Sequence, residues 1–166
     1  MKFVLVDRIC ELEVGKRIVT QKSVTLAEEY LADHFPRFPV LPGVMMLEAM
    51  VQSAAWLVRA TLDFAPAFVL LKEARNVTYK SFVVPGQTLT IEAVCKNLAP
   101  DESVFQTSGS RDGEPVLKGQ LVLRHLNLAD VDPQRAGLDE KMRTRMRSLY
   151  ALLWSEQSAV GAAGSI

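Results

Sequence analysis

The sequence predicts an α+β domain in which a curled antiparallel sheet wraps one long, buried helix. Three observations carry that expectation. The run from Val44 to Val58 is rich in good helix formers and apolar on nearly all sides, as suits a helix with no solvated face. Strand-like stretches, enriched in β-branched residues, lie before and after it. Turn signals such as Pro85-Gly86 and Asp112-Gly113 separate those stretches.

In chain order, residues 3–25 hold FVLVDRICELEV and KRIVTQKSVT on either side of Gly15, which reads as a first hairpin. The segment LAEEYLADHFPRFPVLPG follows. Its Pro36, Pro39 and Pro42 each oppose regular helix or central strand, so a stiff, shaped loop carrying His34 is expected there. Pro42-Gly43 then opens the central helix. Strands are expected at roughly 67–84, 88–98, 103–111 and 115–126. After a polar linker around Pro133 and Gly137, Leu138, Met142, Met146, Leu149 and Leu153 recur at helical spacing and predict an amphipathic C-terminal helix. The expected division is one domain over residues 1–129 and a helical extension over 130–166. This is the layout of a hot-dog fold.

Composition narrows the function. With 49% hydrophobic residues, 23% charged and a mean hydropathy of +0.12, the chain is more apolar than an average soluble domain, which points to surface buried in a homo-oligomer. Nineteen basic residues balance nineteen acidic ones, so no global field draws it to nucleic acid or an anionic membrane. Cys10 and Cys95 stand in no metal-binding spacing; buried free thiols and a reducing compartment are expected, and no metal. Asp7, Arg8 and Glu11 interrupt what would have to be the apolar core of a signal peptide, so a cytoplasmic location is expected.

The chemistry concentrates in 19 residues, His34 to Gln52. Histidine suits proton abstraction near neutrality because its unperturbed pKa is about 6.5. Glu48 follows one turn into the helix among Met45, Met46, Leu47, Ala49, Met50 and Val51, a setting that favours a protonated acid. Gln52, four residues on, shares its helical face and is a candidate to orient the carboxyl group, although a buried amide serving the backbone explains it equally well. Gly43 and Val44 offer helix N-terminal N–H groups where a carbonyl oxygen that gains charge would be stabilised.

These residues read HFPRFPVLPGVMMLEAMVQ, and the pattern HFPxxPVxPGVxxxEAxxQ resembles the signature of the hot-dog 3-hydroxyacyl-acyl carrier protein dehydratases of the FabZ and FabA type. The opening FVLVDRICELEVGKRIVTQKSVT and the later LLKEARNVTYKSFVVPGQTLTIEAV resemble that family as well, so the likeness spans about residues 3–126. It implies dehydration of (3R)-hydroxyacyl thioesters to trans-2-enoyl thioesters, with His34 as base, Glu48 as acid and the Gly43 amide at the carbonyl. It also implies acyl carrier protein as partner, no cofactor, and a homodimer whose sites pair the histidine of one subunit with the acid of the other. Glutamate rather than aspartate at 48 resembles the branch that does not isomerise the double bond. Arg37-Phe38 is bulkier than the family's usual pair, and the extension from about residue 130 has no counterpart in the short dehydratases.

Two other functions fit the fold: a thioesterase, and a non-catalytic acyl-binding or scaffold subunit of a dehydratase complex. The register of His34 with Glu48 favours the dehydratase over both. Arg75 and Tyr79 fit the mouth of a tunnel, but strand alternation explains them more cheaply, and His125 suits a structural place near a strand end. Lys141, Arg143, Arg145 and Arg147 suit a solvated helix face, with attraction to an acidic carrier protein as the alternative.

Overall fold

The computed structural model describes residues 3–34 and 37–154, with the side chains of 32–34 outside the description. Six strands form one antiparallel sheet: β1 (Arg8–Glu13), β2 (Arg17–Ser23), β3 (Phe68–Tyr79), β4 (Thr88–Leu98), β5 (Glu102–Arg111) and β6 (Glu114–Leu126). Their spatial order is β1-β2-β4-β5-β6-β3, so β1 and β3 are the edges. Three helices accompany them: α1 (Glu29–His34), the central α2 (Gly43–Thr61) and α3 (Ala136–Leu153). The sheet curls around α2, which packs against β2 to β6. Among the described residues, no helix is long and apolar enough to cross a membrane.

Alternation fixes which face each strand buries. In β4, Leu89, Ile91 and Ala93 point inward at 0% exposure, and Phe105 of β5 with Leu121 and Leu123 of β6 continues the layer. From the helix, Met50, Ala54, Leu57 and Val58 complete the same core. A buried polar pair fixes the helix to the sheet. The Ser53 hydroxyl donates to the Ala49 carbonyl at 2.7 Å, so the Thr20 hydroxyl of β2, 2.7 Å away, is the donor to Ser53. The β5–β6 turn has Asp112 and Gly113 both at positive φ (52° and 83°), as a two-residue hairpin turn requires.

Four expectations need correction. The strand expected over roughly 67–84 ends at Tyr79. The segment before the helix is not loop throughout: Glu29–His34 form α1, because the prolines begin only at residue 36 and leave EYLADH free to wind. The first strand starts at Arg8, not residue 3; the lead-in instead runs to α2 through side-chain bonds described below. Cys10 and Cys95 are unpaired but half-buried rather than buried, and burial pushes both thiols up.

The extension docks on the domain. Asp139, buried at 1% exposure in the first turn of α3, accepts from the N–H groups of Leu128 and Ala129 at 2.9 Å each. Burial pushes its carboxyl up, but those two donors and Arg143 outweigh that and hold it below the ordinary range. Arg143 donates to the Ala65 carbonyl and to Asn127 Oδ1, and Arg147 to the carboxylate and carbonyl of Asp63. Both guanidinium groups therefore bond to the domain, Arg143 largely covered and Arg147 about half exposed. The Arg147 guanidinium also lies 4.7 Å from the centroid of the Phe64 ring, which meets Tyr150 edge-on.

Candidate active site

The candidate site gathers at the N-terminal end of α2. Pro42, with φ −57° and ψ 142°, stops the preceding chain from entering the helix, and its carbonyl accepts from Met45 and Met46. The N–H groups of Gly43 and Val44 are thereby first-turn donors with no intrahelical acceptor, at the positive end of the helix dipole. The approach is held rigidly: Val40 and Leu41 are buried, and Leu41 N–H donates to the Val83 carbonyl at 2.8 Å.

Gly43 has a steric reason to lack a side chain. A Cβ there would lie 3.2 Å from the ring of Tyr79, at the end of β3. Tyr79, set aside in the sequence as ordinary strand alternation, thus roofs the helix start with a half-exposed ring whose hydroxyl burial pushes up. Only the fold, which returns β3 beside α2, reveals that contact. Phe38 of the bulky Arg37-Phe38 pair meets Phe82 edge-on at 5.9 Å, and both rings remain more than half exposed.

Glu48 is half-buried on α2. Gln52 Nε2 donates to its Oε1 at 2.9 Å and to the Phe3 carbonyl at 3.2 Å, while Gln52 Oε1 accepts from Leu5 N–H at 2.9 Å. The two readings of Gln52 are therefore both present in one amide: it bonds the carboxylate and the backbone together. The four-residue spacing exposed the first contact; nothing in the sequence marks residues 3–5 as its other partner.

The backbone of His34 ends α1, while its imidazole, with Phe35 and Pro36, lies outside the described residues. What leads into α1 is well anchored. The buried Lys22 ammonium lies 2.7 Å from Glu28 and 3.2 Å from Asp7. Burial pulls that ammonium down, but the two carboxylates outweigh it and hold it above its ordinary value. His125 stands apart, buried near the end of β6 between Ser103 Oγ (2.8 Å from Nε2) and the Pro100 carbonyl (3.2 Å from Nδ1). Burial holds its imidazole low, and its place is structural. Among the described residues, no group of His, Cys, Asp and Glu side chains is arranged to hold a metal ion.

A half-buried carboxylate with a fixed amide donor, near backbone N–H groups at a helix start, is equipped to move a proton beside a developing oxyanion. Comparison with known proteins follows the same direction. Residues 1–123 match the model of the FabA-like domain. A protein of Aromatoleum aromaticum named 3-hydroxyacyl-[acyl-carrier-protein] dehydratase FabZ is 37% identical over 122 residues, 72% of this chain and 84% of its own. One of the same name from Solibacter usitatus is 50% identical over 125 residues, 74% of this chain and 75% of its own. Among solved structures, the dehydratase heterocomplex ApeI:P of Xenorhabdus doucetiae superposes with a TM-score of 0.66 at 19% identity, covering 80% of this chain and 90% of that one. A hypothetical thioesterase of Streptococcus pneumoniae with coenzyme A gives 0.55 at 13% identity, covering 72% and 85%. At such identities the structural matches speak for the hot-dog fold alone.

Proposed function

Because this chain belongs to the FabA-like family, we propose that it removes water from (3R)-hydroxyacyl thioesters on acyl carrier protein to give trans-2-enoyl thioesters. The observation that carries the reading is the Glu48 carboxyl group, bonded by Gln52 and one turn beyond the first-turn N–H groups of Gly43 and Val44, which have no acceptor within the helix.

The roles follow from the chemistry of an elimination. His34 takes the proton from the carbon next to the thioester, and charge shifts to the thioester oxygen, where the Gly43 and Val44 N–H groups receive it. Glu48 delivers a proton to the 3-hydroxyl, which leaves as water while the double bond forms. Gln52 is a positioning residue that keeps the Glu48 carboxyl group aimed. The reaction balances without cofactor or metal.

The same proposal places the active unit in a homodimer. Edge strand β3 pairs with β6 on one side only and leaves Leu70 and Leu71 exposed (50% and 39%), a long open edge of the kind proteins cover. A second copy pairing there would bring His34 of one subunit towards Glu48 of the other. It also takes residues 1–129 as the catalytic domain, 130–166 as an addition to it, and the cytoplasm as its location.

The test is a reversible assay of enoyl-thioester absorbance on acyl carrier protein substrates, with wild type, His34→Ala and Glu48→Gln. Interconversion by the wild type, reduced at least about a hundredfold in each variant, is expected. Hydrolysis of the thioester without elimination would turn the reading to a thioesterase. No reaction from folded, dimeric protein would turn it to a binding subunit.

A further inference from the structure

A cavity of about 280 Å³ runs between α2, the start of β3 and α3. Its α2 wall is the stripe Gln52, Trp56 and Arg59, spaced i, i+4 and i+7 on one helical face. Glu48, bonded to Gln52, continues that stripe towards the helix start. Leu70 and Met146 supply apolar wall from β3 and α3. From Glu48 to Arg59 is eleven residues, roughly 16 Å along the helix axis at about 1.5 Å per residue.

The far end of this stripe is charged without compensation. Arg59 stacks over Trp56 at 5.3 Å from the ring centroid, its Nε is fully buried, and that Nε has no acceptor among the described residues. Burial draws its pKa down to about 10, so it stays cationic at neutral pH. Arg145 of α3 stands at the same cavity, exposed and without an ion-pair partner among the described residues. No described Asp or Glu lines the space. A buried guanidinium with an unused N–H costs free energy that a carboxylate, bonded to the fork, would recover.

Resting on the dehydratase reading above, we propose that this cavity takes the far end of the acyl chain, and that Arg59, aided by Arg145, selects chains ending in a carboxylate over those ending in methyl. The apolar lining of Trp56, Leu70 and Met146 holds the methylenes, and the extension α3, absent from residues 1–123 that match the family model, supplies the second wall and the second cation.

The experiment compares kcat/KM for two (3R)-hydroxyacyl-acyl carrier protein substrates of equal chain length, one ending in methyl and one in carboxylate. A preference of about tenfold or more for the carboxylate is expected, falling to near or below unity in Arg59→Met and partly in Arg145→Gln, while Arg135→Met, outside the cavity lining, keeps it. Calorimetry with non-reactive pantetheine thioethers carrying the same two chain ends reads binding without turnover. Equal or better use of the methyl-ended substrate, or a preference that survives both variants, overturns the inference and leaves the dehydratase intact. Absence of turnover with either substrate, together with Arg59-dependent tight binding of the carboxylate thioether, sinks the dehydratase reading and keeps the anion site.

Discussion

Gln52 shows how much one side chain can coordinate. Its amide spends one acceptor and two donors on the Leu5 N–H, the Phe3 carbonyl and the Glu48 carboxylate. Gln52→Ala therefore leaves an N–H of the lead-in without its acceptor, at a cost of about 1–3 kcal/mol, and frees the carboxyl group to rotate. Kinetics separate the two consequences. A positioning role lowers kcat roughly ten- to hundredfold with KM nearly unchanged, whereas a merely structural role lowers the melting temperature and leaves kcat of the folded fraction intact. The Glu48–Gln52 pair was legible in the sequence because a helix turns four-residue spacing into contact. Arg59 and Tyr79 were not, because their significance lies in what the fold returns to them across long sequence separations: an apolar wall from α3 for one, and Gly43 for the other.

At the scale of elements, the strands were readable wherever burial imposes a strict alternation. β4 spans 88–98 as expected, and β5 and β6 begin within one residue of expectation, because turn residues and inward apolar positions agree. The proline-bearing segment was read less well: three prolines spread their influence over the whole stretch, although α1 ends before the first of them. The basic run of the extension was equally ambiguous, since periodicity cannot tell a solvated face from one that clamps a loop. Arg147 is such a clamp. Asp63 and Phe64, just beyond α2, sit at φ 45° and 59°, a left-handed pair that costs of order 1–3 kcal/mol per residue without glycine. Arg147 holds both ends of Asp63 and covers the Phe64 ring. In thermal melts, Arg147→Ala is expected to lower the transition by several degrees, a loss of about 1–2 kcal/mol. Adding Asp63→Gly should recover part of it by easing the backbone. An Arg147→Ala protein that melts with the wild type would remove the clamp from the account.

For the molecule as a whole, the question is which residues share a site. The exposed edge of β3 and the uncovered rings of Phe38 and Phe82 mark apolar surface that a second copy would bury. Mixing distinguishes a shared site from a self-contained one. Refolding equal amounts of His34→Ala and Glu48→Gln chains together gives heterodimers in which a shared architecture leaves one site with both lesions and the other with none. About a quarter of wild-type activity then returns, from half the dimers being mixed and half of their sites whole. If each chain supplies its own pair, every site keeps one lesion and nothing returns.

The clamp on the Asp63–Phe64 turn also imposes an order on synthesis. Arg147 lies 84 residues beyond Asp63, so on a ribosome adding about 5–20 residues per second the turn emerges roughly 4–17 s before the side chain that secures it. During that interval α2 is complete in sequence while its exit remains unsupported, and the ring of Phe64 lacks the cover of Arg147 and Tyr150. That cover is completed only when α3 arrives, so the exit of α2 is secured late in synthesis.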